Sequence, residues 1–419
     1  MRIIHIILPG LLVAATGVGA GDLATASIVG SLLGVSVLWA VIAGGVMKYF
    51  LTEGIGRWQL ASQQSLLAGI KHHFGRFIGL CFLPYLLLWS FFVGAALISA
   101  CGVTLNALLP LFSDPTQGKI ILGIFCSISG LLMLKIGGFA LFEKVMGICI
   151  AAMFITVVTT AIILWPSTSQ VLSGAFLPRF EAIHWQHFNW IVALIGGVGG
   201  TVTMLCYGYW IREKGRTGTD SIAICRIDLA VGYSATILFG IAMVIIASHI
   251  EISGSGADLL VKLAQQLEDT LGLWGRWIFL IGAFGAVFSS LLGVWQAVPL
   301  IFSETWQLFI KPVTKKDNSA AVPENSNATN NLSQTREYFY FQIALATIPM
   351  LGLWVSFKNA QQFYALTGAL FIPLMALALL VLNNYKIKKA FSNSWLNNIA
   401  LCITLIFFAY MAAAKYIKL

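Results

Sequence analysis

The sequence predicts an all-α, polytopic membrane protein built as an inverted repeat of five plus five helices, with an eleventh helix added. Three observations carry that prediction. Hydrophobic residues make up 58% of the 419 and charged residues only 10%, against about 25% charged in soluble domains. Eleven apolar stretches approach or reach the ~20 residues that cross a bilayer. Two of them, the first and the sixth, are crowded with glycine at corresponding places in the two halves.

The predicted spans are 8–33, 35–52, 77–105, 119–138, 143–165, 187–211, 228–249, 272–303, 338–356, 361–382 and 395–415. The first follows directly on Met1-Arg2-Ile3-Ile4-His5 and lacks the small-residue cleavage pattern of a secretory signal, so it is read as a retained helix. It carries Ala14-Ala15-Thr16-Gly17-Val18-Gly19-Ala20-Gly21-Asp22-Leu23-Ala24-Thr25, and the sixth carries Ile195-Gly196-Gly197-Val198-Gly199-Gly200-Thr201-Val202-Thr203. Each glycine costs a helix about 1 kcal/mol relative to alanine. Both segments are therefore predicted to unwind in the membrane, at Gly17, Gly19 and Gly21 and at Gly197, Gly199 and Gly200. Unwound backbone is tolerated there only where protein buries it or it lines a cavity. Interrupted helices in corresponding halves point to a transporter's binding site. Close packing of helices on glycine is the competing reading; the rarity of an intramembrane acid such as Asp22 weighs against it.

Spans one to five (8–165) and six to ten (187–382) then form the two repeats of one transmembrane domain covering 1–419, with 395–415 as the extra helix. This is the LeuT-type arrangement. Gly17 to Gly19 align with Gly197 to Gly199, which sets Asp22 opposite Val202. The long third and eighth spans tilt or extend past the membrane.

Orientation follows from charge. With the N-terminus inside, most of the 25 Lys and Arg fall in cytoplasmic segments, Lys48, Arg57, Lys71 and Arg76 among them, which is the positive-inside pattern. The expected location is the inner (cytoplasmic) membrane, multi-pass, with the N-terminus cytoplasmic. The net charge of +9 is then accounted for by basic loops facing anionic lipid; no aromatic-interleaved basic face suggests nucleic acid. Residues 311–337 lack aromatics and any apolar run, and read as a disordered cytoplasmic loop. Two glycosylation-like triplets, at Asn327 and Asn331, fall on this inner side and are read as accidental. Seven scattered cysteines without a Cys-x-x-Cys pair read as free thiols.

These features together resemble the Nramp family of divalent-metal transporters. The resemblance opens at Leu8-Pro9-Gly10-Leu11-Leu12, similar to the Gly-Pro-Gly that begins the family's first helix. It continues at Gly21-Asp22-Leu23-Ala24-Thr25, where the family has Gly-Asn-Trp-Ala-Thr. It returns at Phe142-Glu143-Lys144-Val145-Met146-Gly147 and at Ser289-Ser290 through Gln296. The departures fall on the metal site. The family's Asp-Pro-Gly-Asn becomes Gly19-Ala20-Gly21-Asp22, so its aspartate position is glycine and the acid stands where it has asparagine. Its Met-Pro-His becomes Thr201-Val202-Thr203, with Met204 out of place.

The resemblance thus implies a substrate site at Asp22, Gly19, Thr201, Thr203 and Gln296, with Asp22, Thr201 and Thr203 as metal ligands. Such a site is all oxygen, which suits Mg²⁺ or Mn²⁺ over softer ions. Equally, Na⁺ or a small organic substrate, an amino acid or amine, suits hydroxyls and carbonyls. Gln296 reads either as a ligand or as a cap on freed backbone. The third span, Leu86 to Ala96, lacks the family's acids, and the later sixth-helix histidine is replaced within Cys206-Tyr207-Gly208-Tyr209-Trp210. No chain of Asp, Glu and His suggests a proton relay. Glu53, Glu143 and Asp228 read as interfacial partners of Arg57, Lys144 and Arg226. His72-His73 reads as a solvated patch, and His184 and His187 as an outer interfacial belt with Trp185 and Trp190. No catalytic constellation is found, so an enzyme is not expected, and no cofactor beyond a transported cation is implied.

Overall fold

The computed structural model describes residues 9–13, 16, 18–178, 185–250, 259–311 and 332–417, with some side chains inside these ranges excepted. Gly17, His184 and most of the 311–337 loop lie outside the described residues, as do the side chains of Glu143 and His187, and of Gly19 only the backbone is described.

Among the described residues the chain is helical and contains no strand. The first span holds a π-helix, Val18–Thr25, which passes into an α-helix, Ala26–Leu33; together they are α1. A 3-10 turn at Gly34–Val37 leads into α2 (Leu38–Ser62). Then come α3 (Arg76–Leu108) and α4 (Pro115–Ile163). The second half opens with α5 (Trp185–Gly197), a 3-10 turn (Val202–Cys206) and α6 (Tyr207–Glu213). It continues through α7 (Ile222–Ala247), α8 (Leu259–Thr305), α9 (Arg336–Thr347), α10 (Phe357–Ala369), α11 (Phe371–Tyr385) and α12 (Trp395–Ile417).

Several boundaries depart from the sequence expectation. The fourth and fifth spans are one helix of 49 residues, about 74 Å long at 1.5 Å per residue. The pair Gly137-Gly138 is carried inside the helix, residues 139–142 are Phe-Ala-Leu-Phe, and no proline lies between Pro115 and Pro166. Asp114 caps its start, accepting from the Thr116 amide at 2.9 Å, with Pro115 in the first turn, where its missing N–H costs nothing. The ninth span is short, because Pro349 follows α9 and the chain tightens into a 3-10 turn over Ile348–Trp354. The last residues of the predicted loop belong to α9: Thr335 caps it by accepting from the Tyr338 amide, and Glu337 pairs with Lys311 at 2.9 Å.

Among the described residues eight helices are long and apolar enough to cross a membrane. Their outer faces carry exposed Phe77, Ile136, Ile155, Ile162 and Leu374, while Trp58, Trp89, Trp210 and Trp295 are fully buried. Apolar groups on both faces are what a protein in lipid requires. Buried amides tie the helices together: Gln342 donates to Trp295 O at 3.0 Å, Gln361 to Ala96 O at 2.9 Å and Asn383 to Gly54 O at 2.9 Å. Hydrogen bonds of this kind act as glue where water offers no alternative.

Candidate functional site

The two glycine-rich segments meet. A Cβ on Gly21 would lie 2.0 Å from Gly197 O, so α1 and α5 cross backbone on backbone, and only glycine allows it. Here α5 ends. Gly199 and Gly200 take φ of +70° and +75°, a left-handed pair that turns the chain into the 3-10 segment before α6. The break in the sixth span is thus a real interruption. The first segment behaves differently: instead of opening into extended chain, its described residues widen into the π-turn of Val18–Thr25. Such π-turns are frequent at functional sites.

Asp22 sits in that π-turn with no exposed surface. Both carboxylate oxygens face the Gly199 amide, at 3.2 and 3.3 Å. An α7 glycine, Gly240, leaves room beside it: a Cβ there would be 3.9 Å from Asp22 Oδ1. Tyr233 of α7 closes the other side of Gly199, its ring edge 3.1 Å from where a Cβ would stand. Its hydroxyl bonds Thr52 of α2 at 2.7 Å.

The second buried charge is Lys48 of α2, also with no exposed surface. Its ammonium donates to Gly196 O at 2.7 Å and to Val198 O. The charge pattern places Lys48 in a cytoplasmic segment, and the structure corrects this: α2 runs on to Ser62, so Lys48 lies in the helix body. Lys48 and Asp22 thus both bond the backbone of the same 196–199 stretch without forming a contact ion pair among the described residues.

The remaining sequence candidates disperse. Thr203 bonds Thr16 hydroxyl to hydroxyl at 2.9 Å, and Thr16 donates on to Val13 O at 2.7 Å. Thr201 is buried and faces α10, where a Cβ on Gly368 would come 2.9 Å from its Oγ1. Gln296 of α8 accepts from Trp210 Nε1 at 3.2 Å, which occupies its carbonyl on α6. None of the three bonds Asp22 in this conformation. Among the described residues no cluster of three or more His, Cys, Asp or Glu is placed to hold a metal ion.

A charged network closes one end of the bundle. Asp228 of α7 accepts from Gly10 N at 2.8 Å, from Tyr207 at 3.0 Å and from Arg216 at 3.0 Å. Its cationic partner is therefore Arg216, in place of the expected Arg226, because the turn after α6 folds back onto α7. Arg226 instead joins Arg57 on Glu53, at 2.9 and 3.0 Å. Asn397 of α12 donates to the same carboxylate at 3.1 Å. The start of the first span, α2, α6, α7 and α12 are thereby clamped together.

Sequence reasoning missed Lys48, Thr16 and Tyr233. The signal for Lys48 was present: Gly44, Lys48 and Thr52 recur every four residues in an apolar run, which sets them on one helix face.

Comparison with known proteins agrees with this geometry. Residues 10–418 match the family model for natural resistance-associated macrophage protein-like (Nramp) proteins. An uncharacterised protein of Pasteurella multocida is 23% identical over 367 residues, covering 85% of this chain and 82% of its own. A manganese transporter of Eremococcus coleocola, in complex with an aromatic bis-isothiourea compound, superposes with a TM-score of 0.71 at 16% identity, over 98% of this chain and 86% of that one. A histidine-to-alanine mutant of the same transporter gives 0.68 at 17%, with the same coverage. MhsT in complex with L-phenylalanine gives 0.62 at 14%, over 97% of each chain. The fold is the LeuT-type inverted repeat with an added helix, and the protein is a multi-pass membrane transporter, not an enzyme: the chain belongs to the Nramp family.

Proposed function

We propose that the chain is a secondary transporter of divalent cations of the Mg²⁺ and Mn²⁺ type, working by alternating access, with Asp22 as the charged ligand. One observation carries the reading. A fully buried carboxylate stands where the π-turn of α1 meets the break between α5 and α6. An acid inside the membrane is costly and marks ion pathways, and discontinuous helices at a repeat interface build such sites. Family membership supports the same cargo class. The oxygen-only chemistry of Asp22, the threonines and freed carbonyls favours hard cations. In this conformation the threonines turn away, so cargo binding requires α1 and the break to move relative to α2 and α10. We place the protein in the inner membrane with its N-terminus in the cytoplasm, and assign no proton relay.

A second reading, a small zwitterionic organic cargo, is favoured by Lys48. A site that already holds one positive and one negative charge matches a zwitterion without further charge compensation.

Calorimetric titration of the purified protein with MnCl₂ and MgCl₂ tests the cargo. The proposal expects saturable binding that weakens by about two to three and a half orders of magnitude in Asp22→Ala, the scale on which a lost buried charge partner acts (about 3–5 kcal/mol, tenfold per 1.4 kcal/mol). Equal binding by the variant rejects Asp22 as the ligand.

A further inference from the structure

Helix α2 presents Gly44, Lys48 and Thr52 at four-residue spacing toward the break in the sixth span. Gly44 lets the helix approach: a Cβ there would be 3.1 Å from the Ile195 backbone. One turn on, Lys48 reaches Gly196 O and Val198 O. One turn further, Thr52 holds Tyr233 beneath Gly199. The whole face serves one stretch of unwound backbone.

The carbonyls that Lys48 takes are not arbitrary. The last carbonyls of a helix have no intrahelical partner, and the C-terminal end carries the negative end of the helix dipole. Within a membrane, the C-terminal end of a half-helix and its unwound carbonyls are where a coupling Na⁺ is coordinated. Here those donors, with Asp22 across the break, already have an occupant, covalently attached. Snorkelling to the interface, the common fate of a membrane lysine, is excluded by its complete burial.

We propose that Lys48 is a tethered cation, standing in for a coupling alkali-metal ion at the break of the sixth span. The inference rests on reading this break as the transport site. Transport then runs without Na⁺ or K⁺, because the positive charge that steadies the carbonyls and balances Asp22 never leaves. Lys48 is a positioning residue: it holds the break in register while Asp22 keeps its oxygens for cargo.

The test uses the full chain, purified and reconstituted, in chloride salts of Na⁺, K⁺ or choline at matched ionic strength. Thermal unfolding and Mn²⁺ uptake are measured for the wild type and for Lys48→Ala, which vacates the carbonyls. The wild type is expected to show the same unfolding midpoint and uptake in all three salts. Lys48→Ala is expected to unfold several degrees lower in choline and to recover in a saturable way as Na⁺ is titrated, with uptake turning Na⁺-dependent. Na⁺-dependent stability or uptake in the wild type would overturn the proposal, and that measurement stands even if the variant does not fold. A folded Lys48→Ala that ignores Na⁺ would overturn it as well. The Na⁺ response of stability is independent of cargo. A chain that carries no divalent cation yet shows Na⁺ rescue in Lys48→Ala supports the tethered cation and removes only the cargo assignment.

Discussion

Asp22 was legible from the sequence because an acid in a glycine-rich apolar run has few bland explanations. Its partner was hidden. Lys48 falls near the end of the predicted 35–52 span and is counted there with the cytoplasmic charges, although α2 continues to Ser62; charge along that stretch reflects the buried Glu53–Arg57 pair, not water. Thr201 illustrates the limit of matching motifs residue by residue. It aligns with the family's methionine, yet it packs against Gly368, a site that admits little more volume. Thr201→Met should therefore cost about 1–3 kcal/mol by overpacking, read as a lower unfolding midpoint, whether or not it shifts the Mn²⁺ to Mg²⁺ preference. An unchanged midpoint would show that the α10 face gives way more easily than its packing implies.

At the scale of elements, glycine density marks both segments, but glycine does not say how, or whether, a helix will break. In α5–α6 two left-handed glycines end the helix; in α1 an eight-residue π-helix keeps it continuous over Val18–Thr25. Gly199→Ala forces a side chain into a left-handed backbone at roughly 1–2 kcal/mol and toward the Tyr233 ring. Lower thermal stability and reduced uptake are expected from it. A variant with normal stability would mean that the turn relaxes freely. The clamp on Asp228 offers a second test. Asp228→Asn removes the charge opposite Arg216 while retaining a side chain of the same shape. A cysteine placed at Thr16 should then react faster with a water-soluble thiol reagent than in the intact clamp. No acceleration would show that this network does not restrict access to Thr16. The clamp was half visible in sequence: Glu53 and Arg57 stand one turn apart, but the Arg216–Asp228 pair depends on the chain reversing after α6, which no local pattern specifies.

For the whole molecule, composition alone dictated the membrane, and the paired breaks dictated the repeat. What composition could not supply was where helices join. Helix α4 runs unbroken through Gly137-Gly138 with no proline between Pro115 and Pro166, so a glycine pair alone does not end a helix, and the hydropathy from which the predicted spans were drawn does not show the join. The same distinction separates fold from cargo. The LeuT-type fold carries a manganese transporter and a protein holding L-phenylalanine among its solved structures, so the substrate must be read from the residues at the break. Those residues are one acid, one tethered amine, carbonyls and hydroxyls.

Cargo is decided by uptake into proteoliposomes of Mn²⁺, Mg²⁺, Ca²⁺ and Zn²⁺, with internal fluorescent indicators and an Asp22→Ala control shown to be folded. Entry of Mg²⁺ and Mn²⁺ is expected, and it should disappear in Asp22→Ala. Wild-type flux in that variant, or silence across all four ions in the folded wild type, would contradict the assignment of Asp22 as the ligand of a transported divalent cation.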